Sequence, residues 1–262
     1  MQVQPSVWIL PLFGLFLGAI LGSFIATLAL RWPEGRSIVT GRSACDGCGR
    51  TLVAPDLIPI VSFIVFRGRA RCCGNAIAPL HPITEILAAF IGATAFLVAP
   101  PPEAIAGASF GWLLLTLALL DWRHYWLPER LTYGLGIVGL IVGWAGIGAP
   151  LPDRIIAGLV GFAAFEAVRV GYRRLCHRDG MGAGDARLFA GIGLWLGWRP
   201  LPLVLLCASL TGLLYAMLVV ARRREPIGKV PFGSFLALSG WATWLALRSL
   251  WLSPSFGGAI GP

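Results

Sequence analysis

Long apolar runs dominate the sequence, and each is close to the length that crosses a lipid bilayer. They lie at about residues 6–30, 82–99, 104–120, 131–149, 154–170, 185–198, 200–221 and 231–252. A spanning helix needs about 20 apolar residues, or fewer where it borders a protein-lined cavity. Charged residues make up 13% of the chain, against about 25% in a soluble domain. The sequence therefore predicts an all-α polytopic membrane protein with about eight transmembrane helices, and it excludes a soluble enzyme or a disordered chain.

One polar segment interrupts this pattern. Residues 31–81 separate the first two apolar runs and contain four of the six cysteines. The other connectors are short, so the sequence predicts three parts. These are a first transmembrane helix over 1–30, a small cytoplasmic Cys-containing insertion over 31–81, and a seven-helix membrane core over 82–262.

The net charge of +9 has a topological explanation. Eight alternating spans place nearly all of the 21 Lys and Arg residues on one side of the membrane; the exceptions are Arg154, Arg199 and Arg248. Basic connectors of membrane proteins face the cytoplasm. We therefore expect the basic side to be cytoplasmic and both termini to lie outside. The partner that this basic chain implies is the lipid bilayer, and not nucleic acid.

Two aspartates stand at the edges of apolar runs. Asp121 ends the third run, in LALLDWRHYW, and Asp185 opens the sixth, in GMGAGDARLF. Charged groups at membrane depth are costly, and those that occur there usually have a function. The third run enters the cytoplasmic side and the sixth leaves it, so the topology puts both carboxyl groups at the cytoplasmic mouth. Gly182 and Gly184 precede Asp185, and a backbone without Cβ atoms lets a substrate chain come close.

A pair of neighbouring carboxyl groups is suited to peptide hydrolysis. Two carboxylates in a low-dielectric site cannot both ionise cheaply, so the pair shares one proton. The ionised member takes a proton from water, while the protonated member polarises the scissile carbonyl. The sequence does not assign these two roles between Asp121 and Asp185.

Two other interpretations of the aspartates stay open. Each residue could cap a helix or pair with a nearby arginine, which is Arg123 for Asp121 and Arg187 for Asp185. The pair could also act as a relay in a proton- or ion-coupled transporter, a class that places carboxylates near the bilayer midplane between repeats. The sequence shows no internal repeat and puts both aspartates at one face, which favours hydrolysis.

The polar segment carries a candidate metal site. Cys45 and Cys48 form a CxxC motif, and Cys72 and Cys73 follow later in the segment. Cytoplasmic cysteines are kept reduced, and two cysteine pairs are typical of a tetrahedral structural zinc site. Because Cys72 and Cys73 are adjacent, we expect poor geometry for two ligands on one ion. A site with three thiolates and a metal-free fold therefore stay as alternatives.

Taken in order, several stretches resemble the bacterial type IV prepilin peptidases, which are membrane aspartic proteases. The first are GSF (22–24), RWP (31–33), CDGC (45–48), DLIPI (56–60), RGRARCCG (67–74) and HPITE (81–85). The later ones are DWRHYWLPERLT (121–132), MGAGDARLFAGIGLWLGW (181–198) and VPFGSFLA (230–237). The resemblance covers nearly the whole chain, and it is therefore more specific than any single motif.

This resemblance implies a defined reaction. Members of the family remove the short basic leader from type IV prepilins or type II secretion pseudopilins at the cytoplasmic face of the bacterial inner membrane. Many members then methylate the new N-terminus with S-adenosylmethionine, and many carry zinc. Carried over to this chain, the catalytic residues are Asp121 and Asp185, the second within a GxGD motif. The zinc ligands are Cys45, Cys48, Cys72 and Cys73.

The chain departs from the family pattern at three positions. Ala70 stands where the family usually has its third cysteine, which leaves Cys72 offset by two residues. Glu129 follows Pro128 where aspartate is usual, and Ser234 replaces the proline of PFGP. The first departure bears on the metal site. No glycine-rich fingerprint identifies a methyl-donor site.

Overall fold

The structure is a computed structural model of the 262-residue chain, and it describes residues 6–36, 43–177, 182–223 and 229–251. Some residues of the predicted basic side lie outside these ranges, namely Arg42, Arg178 and Arg224. Within the described ranges the regular elements are helices, together with two isolated β-bridges. The predicted all-α fold is confirmed for this part of the chain.

Nine α-helices make up the described chain. They are α1 (Ser6–Arg31), α2 (Val61–Val65), α3 (Leu80–Val98), α4 (Pro101–His124), α5 (Glu129–Trp144), α6 (Leu151–Cys176), α7 (Ala183–Leu196), α8 (Leu201–Arg223) and α9 (Phe232–Trp251). A short 3₁₀ turn, Ala54–Leu57, precedes α2. All helices except α2 coincide with one of the apolar runs in the sequence.

In the part of the chain that the structure describes, five helices are long and apolar enough to cross a membrane, namely α1, α3, α4, α6 and α8. Of the others, α5 has 16 residues and α7 has 14. At 1.5 Å per residue they are about 24 Å and 21 Å long, less than the bilayer core of about 30 Å. The polytopic character is confirmed, and the count of eight spans stays a prediction.

The internal contacts divide the chain into two compact units, Met1–Leu97 and Val98–Pro262. The first unit contains α1, α2 and α3, and the second contains α4 to α9. The predicted boundaries at residues 30 and 81 separate membrane segments from a cytoplasmic segment. The two units are instead separated by their internal contacts, so the two divisions answer different questions. The boundaries at residues 30 and 81 stay a prediction.

In the first unit, α1 and α3 pack through glycines spaced four residues apart. A Cβ atom at Gly18 would lie 2.2 Å from the carbonyl oxygen of Ala88, and one at Gly14 would lie 2.5 Å from that of Gly92. No side chain fits at such distances, so the two backbones are in direct contact. Close backbone contact of this kind is how small residues hold helices together in a membrane.

In the second unit, α7 packs against α5, α6 and α9. Leu188 and Ile192 of α7 are fully buried. A Cβ atom at Gly193 would lie 2.9 Å from the backbone of Ala157 in α6. Because several helices enclose α7, they also hold its first turn, which carries Asp185, in a defined place.

Arg154 of α6 connects the other end of α7 to its neighbours. Its side chain is 2% exposed and donates hydrogen bonds to the carbonyl oxygens of Ala149 (2.8 Å), Gly139 (2.9 Å) and Leu194 (3.2 Å). It also donates to the carbonyl oxygen of Ile147. Leu194 lies in the last turn of α7, where carbonyl groups lack partners within the helix. The five N–H groups of a guanidinium allow one side chain to satisfy several such carbonyls.

We predict that Arg154→Met destabilises the protein by at least about 3 kcal/mol, because a hydrogen bond to a charged group contributes about 1.5–3 kcal/mol and at least two are lost. Thermal unfolding of the detergent-solubilised protein measures the loss as a lower Tm. The control is Arg199→Met at an exposed position, where we expect a change of no more than about 0.5 kcal/mol. Equal Tm values for the two variants would contradict the role of Arg154.

Candidate active site

Asp121 lies in the last turn of α4 and is buried. Its Oδ2 atom accepts two hydrogen bonds from Ser234, one from the backbone N–H at 2.8 Å and one from the hydroxyl at 3.1 Å. The hydroxyl oxygen also lies 2.9 Å from the carbonyl oxygen of Ala118. Ser234 is in the first turn of α9, where backbone N–H groups lack partners within the helix. The Asp121 carboxyl group therefore caps the N-terminus of α9.

Asp185 lies in the first turn of α7 and is also buried. Gly182 is the N-cap residue of α7, and its backbone forms a hydrogen bond with the Asp185 carboxyl group. The two carboxyl groups interact electrostatically. The structure therefore has two buried, interacting carboxyl groups, one in the last turn of α4 and one in the first turn of α7.

The Leu127 side chain packs beside both aspartate-bearing regions. Leu127 is buried in the connection between α4 and α5. A Cβ atom at Gly184 would lie 2.7 Å from Cβ of Leu127, and one at Gly233 would lie 2.8 Å from its Cδ1. Glycine at both positions therefore lets Leu127 approach. Of the two predicted substrate-binding glycines, Gly184 packs against Leu127, while Gly182 is exposed.

The ion pair nearest to Asp185 in sequence involves Arg187. Its Nη1 atom lies 2.7 Å from Oε1 of Glu129, which links the first turns of α7 and α5. The alternative drawn from the sequence paired Arg187 with Asp185, whereas its carboxylate partner in the structure is Glu129. This pair contributes to the closeness of the two helix ends at the site.

The four cysteines of the polar segment meet in one cluster within the first unit. Their Sγ atoms all lie within 4.8 Å of one another, with 3.7 Å between Cys45 and Cys73 and 3.4 Å between Cys48 and Cys72. Four thiolates bound to zinc at about 2.3 Å are about 3.8 Å apart in a tetrahedral arrangement. The cluster has the size of such a site and could hold a metal ion. The adjacent Cys72 and Cys73 both contribute their Sγ atoms to this cluster.

The two cysteine pairs lie in turns with the same hydrogen-bond pattern. In the first turn, the N–H of Cys45 donates to the carbonyl oxygen of Arg50 at 2.8 Å. The carbonyl oxygen of Cys45 accepts from the N–H of Gly49, also at 2.8 Å. In the second turn, Ala70 makes the same two bonds, also at 2.8 Å, the second with Gly74. The two glycines have φ values of 72° and 73°, which only glycine adopts without strain. Ala70 therefore has the place in the second turn that Cys45 has in the first.

This equivalence explains the adjacent pair of cysteines. Cys73 has the place of Cys48, and the remaining thiol comes from Cys72, which precedes Cys73 in the same turn. Cys72 comes two residues after Ala70, and its thiol is therefore still part of the turn. Its Sγ atom is still 3.4 Å from that of Cys48.

The thiols differ in acidity. Burial raises the pKa of the Cys45 thiol, but hydrogen bonds with the backbone of Gly47 and Cys48 and with neighbouring thiols lower it to about 7. The hydrogen bond with Cys48 is the largest of the effects that raise the pKa of Cys72 to about 12. The Cys45 thiol is therefore more acidic than the Cys72 thiol. Metal ligands must be deprotonated thiols, so a bound cation would displace the thiol protons.

Comparison with known proteins gives two matches to families. Residues 16–99 match the bacterial peptidase A24 N-terminal domain, and residues 108–217 match the type IV leader peptidase family. A prepilin leader peptidase/N-methyltransferase of Dickeya chrysanthemi is 34% identical over 262 residues, covering 90% of this chain and 92% of that protein. The chain belongs to the type IV leader peptidase family.

Two further relatives of the family agree with this assignment. A prepilin leader peptidase/N-methyltransferase of Aeromonas salmonicida (strain A449) is 33% identical over 210 residues, which are 79% of this chain and 72% of that protein. A type 4 prepilin-like proteins leader peptide-processing enzyme of Escherichia coli O78:H11 is 34% identical over 246 residues, which cover 86% of this chain and 90% of that protein. No solved structure matches the chain. These similarities give the transporter alternative no support.

Two residues of the second unit contact the site although the sequence did not predict that they would. Ser234 stood out only as a departure from PFGP, and Leu127 did not stand out at all. The position of Ser234 just after Pro231 indicates the first turn of a helix, where N–H groups are available. Its acceptor could not be found in the same way, since Asp121 is 113 residues away.

Proposed function

We propose that this protein is an aspartic endopeptidase that removes the basic leader from type IV prepilins or type II secretion pseudopilins. Membership of the type IV leader peptidase family supports the reaction class. The observation that carries the proposal is that Asp121 at the end of α4 and Asp185 at the start of α7 are both buried and interact electrostatically.

The carboxyl pair can carry out hydrolysis without a covalent intermediate. One carboxylate takes a proton from water while the water oxygen bonds to the scissile carbonyl carbon. The other carboxyl group gives its proton to the carbonyl oxygen. When the carbon–nitrogen bond breaks, the proton held by the first carboxyl group passes to the new amine, and the second recovers its proton from the former carbonyl oxygen. The pair thereby returns to its starting state with one shared proton.

The proposed location of the reaction is the cytoplasmic face of the bacterial inner membrane. If the eight helices other than α2 alternate in direction, the end of α4 and the start of α7 lie on the same side, where the basic connectors favour the cytoplasm. This topology places both termini outside. A prepilin carries a basic leader before an apolar helix, so its cleavage site lies at the membrane surface. The exposed Gly182 offers a backbone that the substrate can approach, and Gly184 with Leu127 forms the adjoining wall.

We predict that Asp121→Asn and Asp185→Asn each abolish removal of the leader, because an amide can neither take the proton of water nor supply one to the carbonyl. The measurement is mass spectrometry of a synthetic prepilin after incubation with the purified protein in detergent. Asp153→Asn, in the first turn of α6, is the control and retains normal cleavage. Normal cleavage by either variant of the pair would refute the proposed catalytic role.

We propose further that the cysteine cluster holds one structural zinc ion, with Cys45, Cys48, Cys72 and Cys73 as ligands. The spacing of the four sulfur atoms supports it. When bound, zinc links the two cysteine turns, which contain no regular helix or strand of their own. It takes no part in hydrolysis, which uses the carboxyl pair alone.

We predict about one zinc ion per purified chain, bound at a tetrahedral site. Cys45→Ser and Cys72→Ser lose the metal, and adding Ala70→Cys to Cys72→Ser restores it, because Ala70 has the backbone place of Cys45. Cys207→Ser, outside the cluster, keeps the metal. Elemental analysis of the detergent-solubilised protein measures all four variants. Full zinc content in Cys72→Ser would support a three-thiolate site, and no zinc in the unaltered protein would support the metal-free alternative.

We also propose a second activity, N-methylation of the new N-terminus with S-adenosylmethionine, because two of the relatives are prepilin leader peptidase/N-methyltransferases. We predict that the cleaved peptide gains the mass of one methyl group when the donor is present. The same mass spectra, recorded with and without S-adenosylmethionine, measure this gain. Cleavage without any gain would leave the protein a peptidase alone.

A further inference from the structure

The hydrogen bonds of Asp121 are unequal between its two oxygens. Both donors of Ser234 converge on Oδ2, at 2.8 Å from the backbone N–H and 3.1 Å from the hydroxyl. The backbone of Gly233 forms a further hydrogen bond with this carboxyl group. Hydrogen bonds to an ionised carboxylate are stronger than those to a neutral group. Because Oδ2 already accepts from both donors of Ser234, Oδ1 is the better acceptor for a proton.

The Ser234 hydroxyl has two acceptors for its single hydrogen. Its oxygen lies 3.1 Å from Oδ2 of Asp121 and 2.9 Å from the carbonyl oxygen of Ala118. While Asp121 is ionised, the hydroxyl can donate to Oδ2. Once Asp121 has taken a proton, the hydroxyl can turn and donate to Ala118, so neither state leaves it without a partner.

Asp185 has a different set of contacts. The hydrogen bond that its carboxyl group forms is with the backbone of Gly182, at the N-cap of its own helix. Both carboxyl groups lie at the positive end of a helix, α7 for Asp185 and α9 for Asp121, and that end favours a negative charge on either. Asp121 differs in the number of its donors, because the N–H and the hydroxyl of Ser234 both reach it. The contacts of the pair thus favour the ionised state at Asp121.

We propose that Ser234 is a positioning residue for leader cleavage, and that it makes Asp121 the member that takes the proton of the attacking water. The proton leaves water for Oδ1 as the water oxygen bonds to the scissile carbon, and Asp185 gives its own proton to the carbonyl oxygen. On cleavage of the carbon–nitrogen bond, the Asp121 proton passes to the amine and Asp185 recovers its proton from the former carbonyl oxygen. This inference rests on the proposed peptidase function.

The test measures kcat and KM for a synthetic prepilin in detergent. Ser234→Ala and Ser234→Val lack the hydroxyl, and we expect kcat to fall about tenfold with KM within about twofold, since the lost bond serves the charged reacting group and not substrate binding. Ser234→Thr has the shape of the Val variant but keeps a hydroxyl, and it restores kcat to within about threefold of the unaltered protein. Ser239→Ala removes another buried serine of α9 and is the control; it keeps the unaltered kcat.

The outcomes separate this inference from the function on which it rests. If the unaltered protein cleaves and the Thr and Val variants have the same kcat, Ser234 does not act through its hydroxyl and the inference is wrong. If the Ser234 variants lose activity only in proportion to a lower folded fraction by thermal unfolding, the role is structural and the inference is also wrong. If the unaltered protein does not cleave, or Asp121→Asn cleaves normally, the proposed function itself fails.

Discussion

A buried carboxyl group needs hydrogen-bond donors, and here the first turn of α9 supplies them to Asp121. Removing an ionised group from water costs several kcal/mol unless it is paired or hydrogen-bonded. The N-terminus of a helix offers unpaired N–H groups and a favourable dipole in the same place. The contact of Asp121 with Ser234 therefore satisfies both partners at once. It also ties α4 to α9, so the position of Asp121 depends on the packing of these two helices.

The position of Asp185 depends on α7, which is held along its length and at both ends. Its glycines allow close approach of α5 and α6, and its 14 residues are fewer than a full span requires. A short helix at membrane depth would leave carbonyl groups without partners at its end, which hydrocarbon cannot satisfy. Arg154 donates to the carbonyl oxygen of Leu194 at that end. A protein partner at this end of α7 therefore makes a short helix tolerable, and α7 brings Asp185 to the level of the last turn of α4.

The sequence predicts much of this arrangement, because apolar periodicity and isolated charges are local features. The bounds of the long helices follow from the apolar runs, and Asp121 and Asp185 stand out as acids at their edges. Arg154 shows where the sequence is insufficient. It stood out only as one of three basic residues on the non-cytoplasmic side of the predicted topology. Its burial depends on carbonyl groups of α5 and α7 that are 15 and 40 residues away in sequence. The same holds for Glu129 and Arg187, whose pairing requires α5 and α7 to be adjacent first.

The departures from the family pattern show what a motif does and does not determine. Counting residues suggests that Ala70 removes a ligand, since the expected spacing of the second cysteine pair is lost. The hydrogen bonds show that Ala70 keeps the backbone of the turn, and that Cys72 supplies a sulfur atom from inside it. What the site requires is four sulfur atoms at suitable distances, and a turn can supply one of them from more than one position. At Ser234, likewise, the backbone N–H and hydroxyl are two donors that a proline could not provide. Such substitutions therefore change which atoms surround a reactive group.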